Sequence, residues 1–554
     1  MRSALRRGLA ALVSLLALLT VVSATPASAS ASASASASHR SQTIPTDKGP
    51  VAGATAGGVD QFLGIPYAAP PVGARRWQPP APASAWSGVR PATSYGSRCL
   101  QSATGTGNGP GMSEDCLYLN VYTPARRTNR PLPVMFWIHG GGFSSGSGDL
   151  YDGSRIAKAN NVVVVTINYR LGVFGFLDMP GLSKQGAGDY GLLDQEAALR
   201  WTQRNIGAFG GDAGRVTIAG ESAGGHSVCA LLASPPARGL YAGAIIQSGG
   251  CPSLTGAQAT ARGADYAKAA GCSDRTTGVA CLRAKPADQL LAAGSGFVGG
   301  ILSGPLPVSG GPELPLAPSA AIRSGRYTHV PLLIGSTRDE VRQWALPFAK
   351  ATKKQYERAV RLEFGKQADA VLAHYPYSSY GSQYAATYAI SSLWDDSSVF
   401  YGLGGCQYQN LTAQFAARQP RTYFYEFDDP HPPTTGTTPA GFDSGAPHAS
   451  ELGYLWPMAT TKLLTPEQQQ LSSAMVRYWG AFVKHANPTT AGQEAWPSYR
   501  SGKYMSLLPG ADSQALKVEV FAARHQCSFW NSTDYGWLTT NPDVLAKRAG
   551  VPAS

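Results

Sequence analysis

The stretch around Ser222 constrains this chain more than any other. A short β-branched run, residues 216–218, leads into Gly220-Glu221-Ser222-Ala223-Gly224, and residues 226–233 follow with helical character. A strand that passes through such a pentapeptide straight into a helix needs small residues beside the serine, because the turn is so tight. The hydroxyl then stands at the tip of a sheet. The following helix aims its amide N–H groups and positive dipole end at the same spot. A second match to the pattern, Gly142-Phe143-Ser144-Ser145-Gly146, has no strand leading into it and no helix after it. Context selects Ser222.

The rest of the chain asks for a fold that suits such a turn. Residues 133–138, 162–167, 244–247, 330–334 and 422–425 are further short apolar runs. They are too short for helices, and unbroken apolar runs suit strands buried on both faces. Between them, residues 192–209 carry Leu199, Thr202, Ile206 and Phe209 at helical spacing and stop at Gly210-Gly211. Residues 471–485 form another helix, ending before Pro488. The alternation predicts an α/β fold: a large, mostly parallel sheet flanked by helices. The Gly/Pro/Ser-rich stretches 294–318 and 428–447 read as excursions over the top of the sheet.

Arg2, Arg6 and Arg7 precede an apolar stretch, residues 9–22, with small residues at 27–29. Residues 1–29 therefore read as a secretory signal peptide and residues 30–38 as a low-complexity Ala/Ser linker. One domain, residues 39–554, is expected to follow, in a protein secreted to the extracellular space. No later segment has 18 uninterrupted apolar residues, so no transmembrane anchor is expected. Without the leader arginines the formal charge falls from +12 to +9. The remaining basic residues are dispersed, which argues against nucleic acid as a partner. Eight cysteines in an exported chain favour disulfides. Cys99 and Cys116 bracket a Gly-rich loop, Cys272 and Cys281 a polar one, while Cys406 and Cys527 would staple the C-terminal part onto the core. Cys229 and Cys251 read as buried free thiols ahead of a fourth bridge. No His/Cys cluster has zinc spacing, so neither a metal nor a cofactor is expected.

A serine hydroxyl needs a base within reach, and the base needs a partner that fixes its tautomer. Downstream of Ser222, residues 330–340 place two carboxylates, Asp339 and Glu340, just past a strand. The histidines beyond them are His374, His431, His448, His485 and His525. His374 and His485 sit in helical surroundings, His431 in a Pro-rich loop, and His525 beside Cys527. His448 enters an apolar segment from a loop. Upstream, His139-Gly140-Gly141-Gly142-Phe143 directly follows a strand, and glycines let backbone N–H groups approach a bound atom.

These motifs, with residues 64–73, 113–121, 137–143, 168–176, 191–195 and 209–212, resemble the type B carboxylesterase family. The family has the α/β-hydrolase fold and includes carboxylesterases, cholinesterases and some fungal lipases. The resemblance spans about residues 45–530 and makes 39–554 a single α/β-hydrolase catalytic domain. It implies a serine carboxylic-ester hydrolase acting on small-molecule esters by two-step acyl transfer. Ser222 would be the nucleophile, Glu340 the acid partner and His448 the base. The N–H groups of Gly141, Gly142 and Ala223 would form the oxyanion hole. Glu340 is preferred to Asp339 as the second carboxylate of the family's Asp-Glu-Gly pattern, although Val341 replaces the glycine. The resemblance also implies the bridges Cys99–Cys116, Cys272–Cys281 and Cys406–Cys527, a structural Arg76–Glu114 pair, and a field from Glu221 on His448. Residues 100–115, between the first two cysteines, lack the aromatic that holds choline in cholinesterases and are too short and Gly-rich for a lipase lid. A general esterase is thus preferred over a triacylglycerol lipase, a specialised natural-product esterase or a non-catalytic adhesion relative.

Overall fold

The apolar runs become strands of one eleven-stranded sheet. In chain order these are β1 (Ala54–Ala56), β2 (Val59–Pro66), β3 (Tyr118–Pro124), β4 (Leu132–Ile138), β5 (Val163–Ile167), β6 (Gly211–Glu221), β7 (Gly243–Gln247), β8 (Leu332–Thr337), β9 (Thr422–Phe427), β10 (Lys503–Leu507) and β11 (Gln514–Lys517). Their spatial order is β11-β10-β9-β8-β7-β6-β4-β5-β3-β2-β1. Pairing is parallel from β5 through β10. The strands beyond, at both edges, pair antiparallel. This computed structural model describes residues 42–552 apart from 102–107, 127–129, 183–184, 187, 295–304, 435–437 and 534–540. The expected leader and linker lie outside the described residues.

Successive side chains of a strand point to opposite faces, and here both faces are apolar. In β4, Val134, Phe136 and Ile138 join one core, while Met135 and Trp137 join the other. The first core is covered by α1 (Tyr190–Asn205) and α2 (Ala223–Ala233), through Leu199, Val228 and Leu231. The second is covered by α3 (Pro466–His485), through Leu471, Met475, Trp479 and Phe482. α3 begins five residues before its apolar spacing does. Thr465 and Gln468 form a reciprocal capping box, with Pro466 in the first turn. α1 stops at Asn205, short of the expected Phe209. The Asn205 amide turns back onto the Trp201 carbonyl (3.0 Å), yet Phe209 still packs in the core.

Four disulfides are present, and one corrects an expectation. Cys99–Cys116, Cys272–Cys281 and Cys406–Cys527 are bridged, and so is Cys229–Cys251. Cys229 lies on α2, and β7 runs parallel beside β6, which delivers the loop after β7 to that helix. The two Cα atoms are 5.3 Å apart, well inside bridging range. Among the described residues no helix is long and apolar enough to cross a membrane.

Candidate active site

β6 ends at Glu221 and α2 begins at Ala223, so Ser222 alone makes the turn. Its φ of 57° is left-handed, a conformation that costs an L-residue about 1–3 kcal/mol and persists only under surrounding constraint. Two hydrogen bonds hold it: its N–H donates to Gln247 O (2.9 Å), and its carbonyl accepts from His226 N–H (2.8 Å). The flanking glycines are required by close approach. A Cβ on Gly220 would lie 2.5 Å from the Gly224 backbone, and one on Gly224 would lie 2.0 Å from Ile138 O. Ser144, in the second match, instead donates its hydroxyl to Gly142 O (3.1 Å) inside a turn.

The glycine loop sits against this elbow. A Cβ on Gly140 would come within 2.7 Å of Glu221 Oε2 and 3.0 Å of Ser222 Cβ. Gly141 and Gly142 have φ of 104° and 59°. Among the described residues, the N–H groups of Gly141, Gly142 and Ala223 meet no protein acceptor. His139 stacks on Tyr169 (ring centroids 4.4 Å apart), and its Nδ1 is 2.8 Å from Gly140 O. Burial holds its pKa down at about 4, so it is neutral and positions the loop.

The carboxylate–histidine pair comes from the loops after β8 and β9. Glu340 Oε1 accepts from Ser248 Oγ (2.5 Å) and Thr337 N–H (3.1 Å), and Oε2 pairs with His448 Nδ1. The two loops are also laced through the backbone. His448 N–H donates to Glu340 O (3.1 Å), Asp339 N–H donates to Ala446 O (2.9 Å), and Asp339 Oδ2 accepts Ala446 N–H (2.8 Å). Val341 has φ −110°, a value any residue adopts, so this loop has no need of glycine there. Its N–H donates to Asp395 (2.7 Å). The other histidines lie apart from this pair. His525 is buried between Asp396 and Glu426 (2.7 Å each). His374 and His485 end helices, and exposed His431 faces Asp443.

His448 Nε2 lies 3.1 Å from Glu221 Oε1 but makes no aligned hydrogen bond among the described residues. The Ser222 hydroxyl is accordingly not hydrogen-bonded to it. Burial pushes the imidazolium down, but Glu221 first and then Glu340 outweigh it and leave His448 raised to about 9. Burial raises Glu221 and Glu451, with His448 drawing both back.

Four features of this centre carry no sequence signal. Glu451 is buried and accepts from Gln247 Nε2 (3.1 Å), whose Oε1 accepts from Trp479 Nε1 (2.8 Å). Ser248 anchors Glu340. His226, one turn below Ser222, accepts Gly250 N–H at Nδ1 (2.9 Å). The ring of Trp344 lies 5.0 Å from that of His448 and stacks on Phe400. Away from the centre, Arg76 and Glu114 form the expected pair through two 2.6 Å contacts.

A parallel sheet with a serine at a strand-to-helix elbow and a carboxylate–histidine pair at neighbouring strand ends defines an α/β-hydrolase. Residues 40–530 match the Carboxylesterase family. The chain is 36% identical to human cocaine esterase over 518 residues, covering 87% of this chain and 88% of that one. It is also 36% identical to para-nitrobenzyl esterase of Bacillus subtilis, covering 84% and 94%. A solved structure of a PNB esterase superposes with a TM-score of 0.73 at 34% identity, covering 88% of this chain and 99% of that one. The chain belongs to the carboxylesterase family and is a carboxylic-ester hydrolase of the serine type.

Proposed function

We propose that Ser222 is the nucleophile of a secreted, general carboxylesterase contained in one catalytic domain from residue 39 onward. His448 takes the Ser222 proton as the hydroxyl oxygen attacks the ester carbonyl. Glu340 fixes the imidazole with Nδ1 protonated and stabilises its charged form. The oxyanion rests on the N–H groups of Gly141, Gly142 and Ala223. His448 returns the proton to the departing alcohol, and water then cleaves the acyl-serine by the same route.

One observation carries this reading. Gly140 packs against Ser222 at the elbow, and the N–H groups of Gly141, Gly142 and Ala223 meet no acceptor among the described residues. Replacing Ser222 with Ala is expected to lower kcat by about 10⁴-fold or more. Near-full activity in that variant would refute the assignment.

Small soluble esters are favoured over emulsified lipid because the segment at 100–115 is short and poor in large apolar residues. Rates on p-nitrophenyl esters of increasing chain length, compared with emulsified triglyceride, test this. A rate jump at the emulsion interface would make the enzyme a lipase. Secretion is supported by the leader-like residues 1–29 and the four disulfides. N-terminal sequencing of exported protein checks it.

A further inference from the structure

His226 has no part in the acyl-transfer steps, yet it is held with unusual care. It is the fourth residue after Ser222, and its N–H closes the first turn of α2 onto the Ser222 carbonyl. Residues four apart on a helix share a face, so the imidazole lies on the same side as the elbow. Its ring stands between Phe143, which follows the oxyanion glycines (centroids 6.3 Å apart), and Tyr401 (6.4 Å). This places it in the wall between the glycine loop and the 397–404 segment.

Its protonation state is fixed by geometry. Gly250 N–H donates to Nδ1 at 2.9 Å, so that nitrogen is an acceptor and carries no proton. A neutral imidazole must then carry its proton on Nε2. Burial first, and the charge of His448 second, hold the ring's pKa down at about 3, so it stays neutral across any working pH. The Gly250 contact is itself fastened. Gly249 packs on Gly225, and Cys251 is bonded to Cys229 on the same helix. The tautomer is locked by a loop that cannot readily move away.

The result is a donor with nothing to receive its hydrogen. His226 is 3% exposed, and its Nε2 meets no acceptor among the described residues. A largely buried donor with no fixed protein acceptor is satisfied only by what enters beside it. At a reaction centre a bound ligand can supply that acceptor.

We propose that His226 Nε2–H is a fixed hydrogen-bond donor of the substrate cavity, selecting esters that carry a second, uncharged oxygen acceptor close to the scissile carbonyl. This inference rests on Ser222 being the nucleophile. Because the imidazole is neutral, an ether, hydroxyl or keto oxygen suits it, and a carboxylate gains no ion pair. The acceptor comes from the acyl or the alcohol side, and paired isosteric esters distinguish them. On the acyl side, p-nitrophenyl methoxyacetate is compared with p-nitrophenyl butyrate. On the alcohol side, 2-methoxyethyl acetate is compared with butyl acetate. Each kcat/KM is divided by the ester's own alkaline hydrolysis rate, which removes the electronic effect of the oxygen.

The wild-type enzyme is expected to favour the oxygen-containing member of one pair by about tenfold, the size of one neutral hydrogen bond. The His226→Phe variant is expected to bring that ratio to about one, whatever its absolute rates. Ratios near one in both pairs for the wild type would overturn the inference without any variant. So would an oxygen preference that survives in His226→Phe. Labelling by an organophosphonate, run alongside, separates the two levels. Protein that labels on Ser222 but shows no oxygen preference refutes the role of His226 alone. Protein that hydrolyses esters without labelling on Ser222 refutes the nucleophile itself.

Discussion

Changing Glu221 to Gln should move the pH dependence of the enzyme by an amount that follows from one short contact. His448 Nε2 and Glu221 Oε1 are 3.1 Å apart in a buried site. Burial alone would depress the imidazolium. The neighbouring carboxylates, Glu221 foremost, reverse that and raise the group from 6.5 to about 9. A rise of that size corresponds to about 3 kcal/mol in favour of the charged form. If Glu221 supplies at least half of it, removing its charge while keeping its shape lowers the pKa by more than about one unit. The sign follows from the role of the base. In the proposed mechanism His448 must be unprotonated to accept the serine proton, so activity is lost as pH falls through its pKa. The acid limb of kcat/KM, which reports the free enzyme, should therefore lie above 6.5 in the wild type. In Glu221→Gln it should lie at least about one unit lower. The assay is kcat/KM for p-nitrophenyl acetate from pH 5 to 9.5, corrected for spontaneous hydrolysis. Superimposable limbs in the two proteins, or a wild-type limb below 6.5, would refute the assignment of Glu221 as the main field on the base.

Other perturbations follow from the same geometry. Asp339→Ala removes the acceptor of Ala446 N–H and the partner of Arg338 and Arg342, loosening the lacing between the Glu340 and His448 loops. It should lower kcat about 10- to 100-fold with little change in KM, read from steady-state kinetics. His525 sits between two buried carboxylates and is raised to about 10, its hydrogen bonds to Asp396 and Glu426 overcoming burial. Its folded pKa lies above its unfolded value, so its stabilisation is full below about 6.5 and lost as pH rises through about 10. Tm should fall across that window, and less steeply in His525→Gln. Removing the Cys229–Cys251 bridge with paired serines opens a loop of 22 residues. That should cost about 3 kcal/mol by loop entropy, measurable by denaturant unfolding of the oxidised proteins.

Much of the fold was legible because its strands are buried on both faces, which leaves unbroken apolar runs such as 133–138 and 162–167. The edges were less so. β1 has three residues and β11 four, and neither stands out from a loop. Helix starts were missed where caps, not apolar spacing, set them, as at Thr465. At the centre, the elbow and the glycine loop announce themselves because glycine has a steric reason at each position. The groups that surround His448 do not. Ser248 reaches Glu340, and Cys251 reaches Cys229, only because β6, β7 and β8 lie side by side. No local pattern encodes strand adjacency, so Cys229 and Cys251 read as two free thiols. Nothing local marks His226, since its meaning comes from Gly250, 24 residues away.

Ser222, and not Ser144 or any other serine, is expected to carry the acyl group. The direct measurement is mass spectrometry of the tryptic peptides after stoichiometric inactivation by a fluorophosphonate. A single adduct is expected on the peptide containing Ser222, formed in step with loss of activity and absent when His448 is replaced by Ala. An adduct on Ser144, or full inactivation with Ser222 unmodified, would contradict it.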